Sequence, residues 1–259
     1  MNWELERKTI RKHEFSGISN LVSIEMQNWF NTKKIWFHVS LWIILLFGLV
    51  VIASMNSYTA PGAIGLYLNF VGVFGSIGII LSVQGVIIGE RKTGIAAWLN
   101  SKPISRSSYI ISKFFGNLLG FFISMSLIPV LLNVLYISLR DGQIFSVVRI
   151  PIFIGCLLIY LSFYLSLTIL CGTLFSNRGL ASGIPLSIFF AQSLLSGVFP
   201  KLALFFPNSM LSGDEGAGSI LGDYFFYGTM TSYESILVSV FLTICFLAIA
   251  VLRFKADEI

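Results

Sequence analysis

Ionisable side chains are scarce in this chain. Between the polar ends of the chain, the densest group, Glu90, Arg91, Lys92, Lys102 and Arg106, falls in one short stretch between two greasy runs. The same stretch carries Gly94, Trp98, Leu99, Ser101, Pro103 and Ser105. It holds no nucleophile beside a base and no metal-ligand spacing. The chemistry it offers is recognition: ion pairing, hydrogen bonding and one aromatic anchor at Trp98. A polar loop of this kind between membrane spans serves contact with something soluble.

Other reactive groups do not gather. Cys156, Cys171 and Cys245 lie apart inside apolar runs and read as small packing residues. His13 and His38 form no cluster, so no metal site is expected. Asp214, Glu215 and Asp223 stand among glycines with no base or nucleophile near them, which reads as a solvated loop. The chain contains no HExxH, no GxSxG and no GxxxxGK[ST], so it carries neither a zinc-protease helix, a nucleophile turn nor a phosphate loop. Asn69, Gln84, Asn117, Asn133 and Gln192 are neutral amides embedded in apolar sequence. Each reads as an interhelical hydrogen bond or as a group lining a substrate pathway.

The elements that must position these residues are membrane helices. Of the 259 residues, 56% are hydrophobic and 11% charged, far below the ~25% charge of soluble domains. Mean hydropathy is +0.85. Apolar runs near 35–55, 64–88, 110–137, 151–175, 180–200 and 234–253 each reach the ~20 residues that a helical crossing needs. They are unbroken rather than alternating, which excludes a β-barrel. The expected fold is an all-α polytopic bundle of six spans over 35–253, with a tail and interfacial helix at 1–34, a cytoplasmic loop at 89–109, an external loop at 201–233 and a short tail at 254–259.

Charge sets the orientation. Three of the seventeen cations, Arg140, Arg149 and Lys201, fall on one side of such a bundle, and the rest share the side of both termini. The positive-inside rule then places the termini in the cytoplasm. The first 34 residues are too polar for a cleavable signal, so the first apolar run is expected to stay as an anchor. The net charge of +5 suits anionic headgroups rather than nucleic acid.

Residues 18–34 pattern as an interfacial helix with Ile18, Leu21, Val22, Met26 and Trp29 on one face. Glu25 falls on that same face and is read as snorkelling to headgroups. GxxxG pairs at Gly85–Gly89, Gly116–Gly120 and Gly179–Gly183 mark close helix approaches, within the fold or in a dimer. Small residues on two faces of the second span make it an inner helix. Thr231 and Glu234 fit a capping box opening the last span, and Tyr224–Tyr227 read as an aromatic piece at the outer interface.

The loop carries a resemblance. Glu90, Arg91, Gly94, Leu99, Ser101, Pro103, Ser105, Arg106 and Lys113 match without a gap a pattern E-R-x-x-G-T-x-x-x-L-L-S-x-P-x-S-R followed by a lysine. Ile95, Asn100 and Ser112 depart from it. The pattern is similar to that of the membrane permease of type-2 ABC transporters, the six-span exporter class. That resemblance implies a chain that is not itself catalytic and binds no cofactor, with ATP and magnesium on a separate ATPase subunit present in two copies. It implies a second permease chain, identical or related, and a prokaryotic plasma membrane. The loop from Glu90 to Arg106, Trp98 included, would be the coupling helix seated on the ATPase. The apolar spans suit a hydrophobic or amphipathic cargo, such as a peptide, an antimicrobial or a drug. At this point a membrane enzyme using the external acids, and a non-transporting scaffold or sensor, stay open beside it.

Overall fold

The computed structural model describes residues 17–30, 33–55, 59–93, 105–199, 201, 205–211 and 219–256. Every regular element among the described residues is helical. Helix α1 spans Ile18–Phe30. Helices α2 (Lys34–Ser54), α3 (Ala60–Lys92), α4 (Arg106–Asp141) and α5 (Arg149–Leu174) follow, each long and apolar enough to cross a membrane. Helix α6 (Arg178–Val198) occupies the apolar run expected at 180–200 and contains Pro185. A short turn of helix at Pro207–Met210 and helix α7 (Ile220–Tyr227) lead to α8 (Glu234–Ala256), another membrane-length helix.

The two helices beside the polar loop are the longest. With 33 and 36 residues, α3 and α4 are each about 50 Å long at ~1.5 Å per residue. A hydrocarbon layer is only ~30 Å thick. Both therefore protrude, and they overrun the expected 64–88 and 110–137 at both ends. Thr93 and Ser105, which flank residues 94–104, stand at the ends of this pair.

Helix α5 is central. Its apolar stretch is 78% buried, against 22% for α2 and α8. Helix α3 packs on two sides, as the distribution of its small residues predicts. A Cβ added at Gly78 would lie 2.4 Å from the Trp42 ring, so the glycine makes room for that buried indole. On another face, Gly72 meets Leu211 and Tyr160. The Tyr160 hydroxyl donates to the Gly72 carbonyl at 3.0 Å and pairs with Ser76 at 2.7 Å.

Three spans widen into π-turns, at Ile43–Gly48 in α2, Val71–Gly75 in α3 and Phe122–Leu127 in α4. The last precedes Pro129, which has no N–H to return to the Met125 carbonyl. The Tyr67 hydroxyl donates to that carbonyl at 3.4 Å. In lipid such a borrowed donor matters, because no water is present to replace it.

Helix ends follow local chemistry. The Ser105 side chain accepts from the Ser108 N–H at 3.1 Å and caps α4. Asn177 caps α6 in the same way, and Ser219 caps α7. Glycines with positive φ, Gly142 and Gly228, close α4 and α7. At the start of α8 the expected Thr231 box is displaced by one residue. Ser232 accepts from the Glu234 N–H at 3.3 Å and donates to its carboxylate at 2.5 Å.

Candidate coupling site at the loop end of the bundle

The site begins with the two feet of the polar loop. Glu90 and Arg91 end α3, and Ser105 and Arg106 begin α4. Gly94, Trp98, Leu99, Ser101 and Pro103, where the short coupling helix is expected, lie outside the described residues.

The feet are joined by a buried lysine. Lys113, two turns into α4, reaches Glu25 of α1 at 2.5 Å and Glu90 of α3. Its side chain is only 7% exposed, so the ammonium has left water for two carboxylates. Glu90 is held twice, since the Tyr109 hydroxyl donates to its other oxygen at 2.5 Å. Lys34 adds a second cation facing Glu25, and the Tyr109 hydroxyl supports the ionised form of Glu90 by donating to it.

Glu25 therefore departs from its sequence reading. It does not snorkel to headgroups but lies on the buried face of α1 between Leu21 and Trp29, locked to Lys113. That face is the one the helical pattern marks, yet it covers α4 rather than lipid. The glycine pair Gly116–Gly120 explains how closely. A Cβ at Gly116 would lie 2.3 Å from the Glu25 Cβ, and one at Gly120 would lie 2.3 Å from the Trp29 ring. Trp29 also donates to Asn117 at 3.3 Å, and Lys34 sits 4.0 Å over its ring.

Arg91 and Arg106 bind other spans. Arg91 donates to the Thr173 carbonyl at the end of α5 at 3.1 Å. Arg106 donates to the Lys255 carbonyl in the last turn of α8 at 2.8 Å. At this same end, the Arg178 guanidinium lies across Gly85 and Gly89 of α3. The other end holds Arg140, which pairs with Asp141 and donates to the Ser54 carbonyl. It also holds Arg149, which donates to the carbonyls of Phe225 and Phe226 in α7. The cations thus divide in space between two ends as they divide in sequence.

The five candidate pathway amides do not converge. Asn69 is exposed and bonds back to the Gly65 carbonyl. Gln84 stands half-buried at a break in α3. Asn117 bonds Trp29 and the Lys113 carbonyl. Asn133 joins α4 to the Leu46 carbonyl in the π-turn of α2. Gln192 accepts from Tyr164 at 3.0 Å. Sequence reasoning missed Glu25 and Tyr109 as members of the loop-end cluster. The available signal was Glu25 itself, a carboxylate on an otherwise apolar helical face.

Comparison with known proteins agrees with this arrangement. The profile of the ABC-2 family transporter protein matches residues 49–252. The uncharacterized transmembrane protein YxlG of Bacillus subtilis (strain 168) is 23% identical over 203 residues, covering 70% of this chain and 77% of that protein. With the profile running from α2 almost to the end of α8, the chain belongs to the ABC-2 family of transporter membrane proteins and is a permease subunit of an ABC transporter.

Proposed function

We propose that the chain forms the translocation pathway of an ATP-driven exporter for a hydrophobic or amphipathic substrate, a peptide, antimicrobial or drug. In this reading the loop 90–106 is its coupling element to a separate ATPase. The observation that carries this is the construction of the loop's feet. Two protruding helices carry those feet, a buried lysine ties them to α1, and Arg91 and Arg106 tie them to α5 and α8. A force applied to such a loop is transmitted, whereas a flexible linker would absorb it. The chain's lack of a phosphate loop fits ATP and magnesium residing on the partner.

The cation-rich end faces the cytoplasm in this reading, in the plasma membrane of a prokaryote, so the ATPases dock there in two copies. A second permease chain completes the pathway. Support for pairing comes from α6, where Gly183 has open space at its Cβ position, next to Leu180, Ile184 and Ser187. This GxxxG face is unused by the chain's own packing among the described residues. The cargo reading rests on spans whose centres carry amides and hydroxyls rather than fixed charge.

The test is a mild-detergent pull-down of the tagged chain from its native cells, with masses read for co-eluting proteins. A stoichiometric soluble protein bearing a phosphate-binding loop, lost when residues 94–104 are replaced by a neutral linker, is the expected result. A chain that elutes without an ATPase overturns the reading.

A further inference from the structure

The last turn of α8 holds a buried ring where an exposed one would cost nothing. Arg253, Lys255 and Ala256 are exposed there, yet Phe254 is 1% exposed. Its neighbours come from both feet of the loop. The Arg91 guanidinium lies 5.4 Å from the ring centroid. The Tyr109 ring stacks on it at 4.9 Å with an interplanar angle of 16°. One residue further on, the Lys255 carbonyl accepts from Arg106. Three contacts therefore tie the end of α8 to the loop, from residues that precede it and residues that follow it.

The far end of α8 touches the other side of the bundle. The Ser239 hydroxyl gives its proton to the Ser235 carbonyl at 2.5 Å, and its oxygen packs against the sulfur of Met210 at 3.8 Å. Met210 belongs to the short turn Pro207–Met210 and is fully buried. Leu211 and Asn208 from that segment border Gly72 of α3, beside Tyr160. From Ser239 to Phe254, α8 runs about 22 Å as unbroken helix at ~1.5 Å per residue. A helix is stiff along its axis, and its two ends here meet the loop and the outer turn.

We infer that α8 is the rod through which movement of the loop reaches the outer turn, with Phe254 as the positioning residue at its driven end. This rests on the proposed coupling role of the loop. Engagement of the ATPase displaces both feet, the Arg91–Phe254–Tyr109 packing drags the end of α8 with them, and Ser239 shifts against Met210. The outer turn then loosens from Gly72 and Tyr160. Coupling between distant sites requires such an element whose arrangement both sites bias.

The experiment uses the co-purified permease and ATPase in nanodiscs of phosphatidylethanolamine and phosphatidylglycerol. Cys156, Cys171 and Cys245 are replaced by Ala, and Met210→Cys supplies the reporter. Its labelling rate by a water-soluble maleimide is read without nucleotide and with ATP and vanadate. The expected result is labelling about fivefold faster or more in the trapped state. The increase should disappear with Phe254→Leu, which keeps bulk but removes the ring, and return with Phe254→Tyr. Arg106→Gln, which removes the bond to Lys255, should reduce it, and this variant decides if Phe254→Leu does not fold. An unchanged increase in Phe254→Leu and Arg106→Gln, or no increase in the parent, overturns the inference while co-purification of the ATPase leaves the coupling reading standing. Absence of any ATPase in the parent preparation fails both.

Discussion

The two ends of the bundle are held by different physics. At the loop end, Lys113, Glu25, Glu90, Tyr109, Arg91 and Arg106 bind one another or named carbonyls through directional contacts. At the other end, Phe145, Phe153, Phe225 and Phe226 pack as a ring cluster, with centroids 4.7–5.7 Å apart. Charge contacts are fewer at that end: Arg149 donates to the Phe225 and Phe226 carbonyls beside the cluster, and Arg140 pairs with Asp141 at the rim of α4. Directional bonds fix one geometry and fail if a partner is lost. Apolar packing tolerates exchange of similar shapes. The bundle is thus rigidly specified where it is proposed to receive force and adaptable where cargo is proposed to leave.

Four substitutions test that contrast. The largest effect is expected from Lys113→Met, which strands two partly buried carboxylates and should cost about 3 kcal/mol. Thermal unfolding in detergent should show it, and adding Glu25→Gln and Glu90→Gln should recover part of the loss. A variant as stable as the parent would mean the triad contributes no specification. Next comes Gly120→Ala, whose Cβ would collide with the Trp29 ring. Overpacking of this kind costs about 1–3 kcal/mol. Gly183→Ala, with open space at the same type of motif, should not lower the unfolding temperature of the single chain and should raise it slightly, since Ala is the better helix former. Equal effects at the two glycines would erase the distinction between a used and an unused GxxxG face. The smallest effect belongs to the end opposite the loop. Phe225→Leu keeps an apolar side chain and should cost about 1 kcal/mol in lost ring contacts. A loss matching that of Lys113→Met would show that the ring cluster is as specific as the charges.

Much of the fold was legible because lipid leaves few options for an apolar run of twenty residues. The runs at 35–55 and 234–253 became α2 and α8 almost as expected. The glycines at 116 and 120 announced a close approach, but nothing in their spacing named Glu25 and Trp29 as what approaches. Glu25 was misread because its partner lies 88 positions away, and a helical face shows a charge without showing what neutralises it. The π-turns were invisible, since Ile43–Gly48 reads like any other apolar run. Phe254 was hidden for the same reason, as one aromatic in a greasy helix. The cap that Ser105 places on α4 is local chemistry, whereas the meeting of Arg106 with the end of α8 depends on residues 149 positions apart.

The docking of α1 on α4 also sets an order of birth. Glu25 leaves the ribosome long before Lys113 exists, and synthesis proceeds at ~5–20 residues per second. For those seconds α1 has no glycine groove to enter and no ammonium to meet. The amino-terminal helix must wait at the surface, its acid still hydrated, while two hairpin arms of the bundle are threaded. Docking of α1 therefore waits for α4, and closure of the loop end waits longer still, until Lys255 of α8 has been made to receive Arg106.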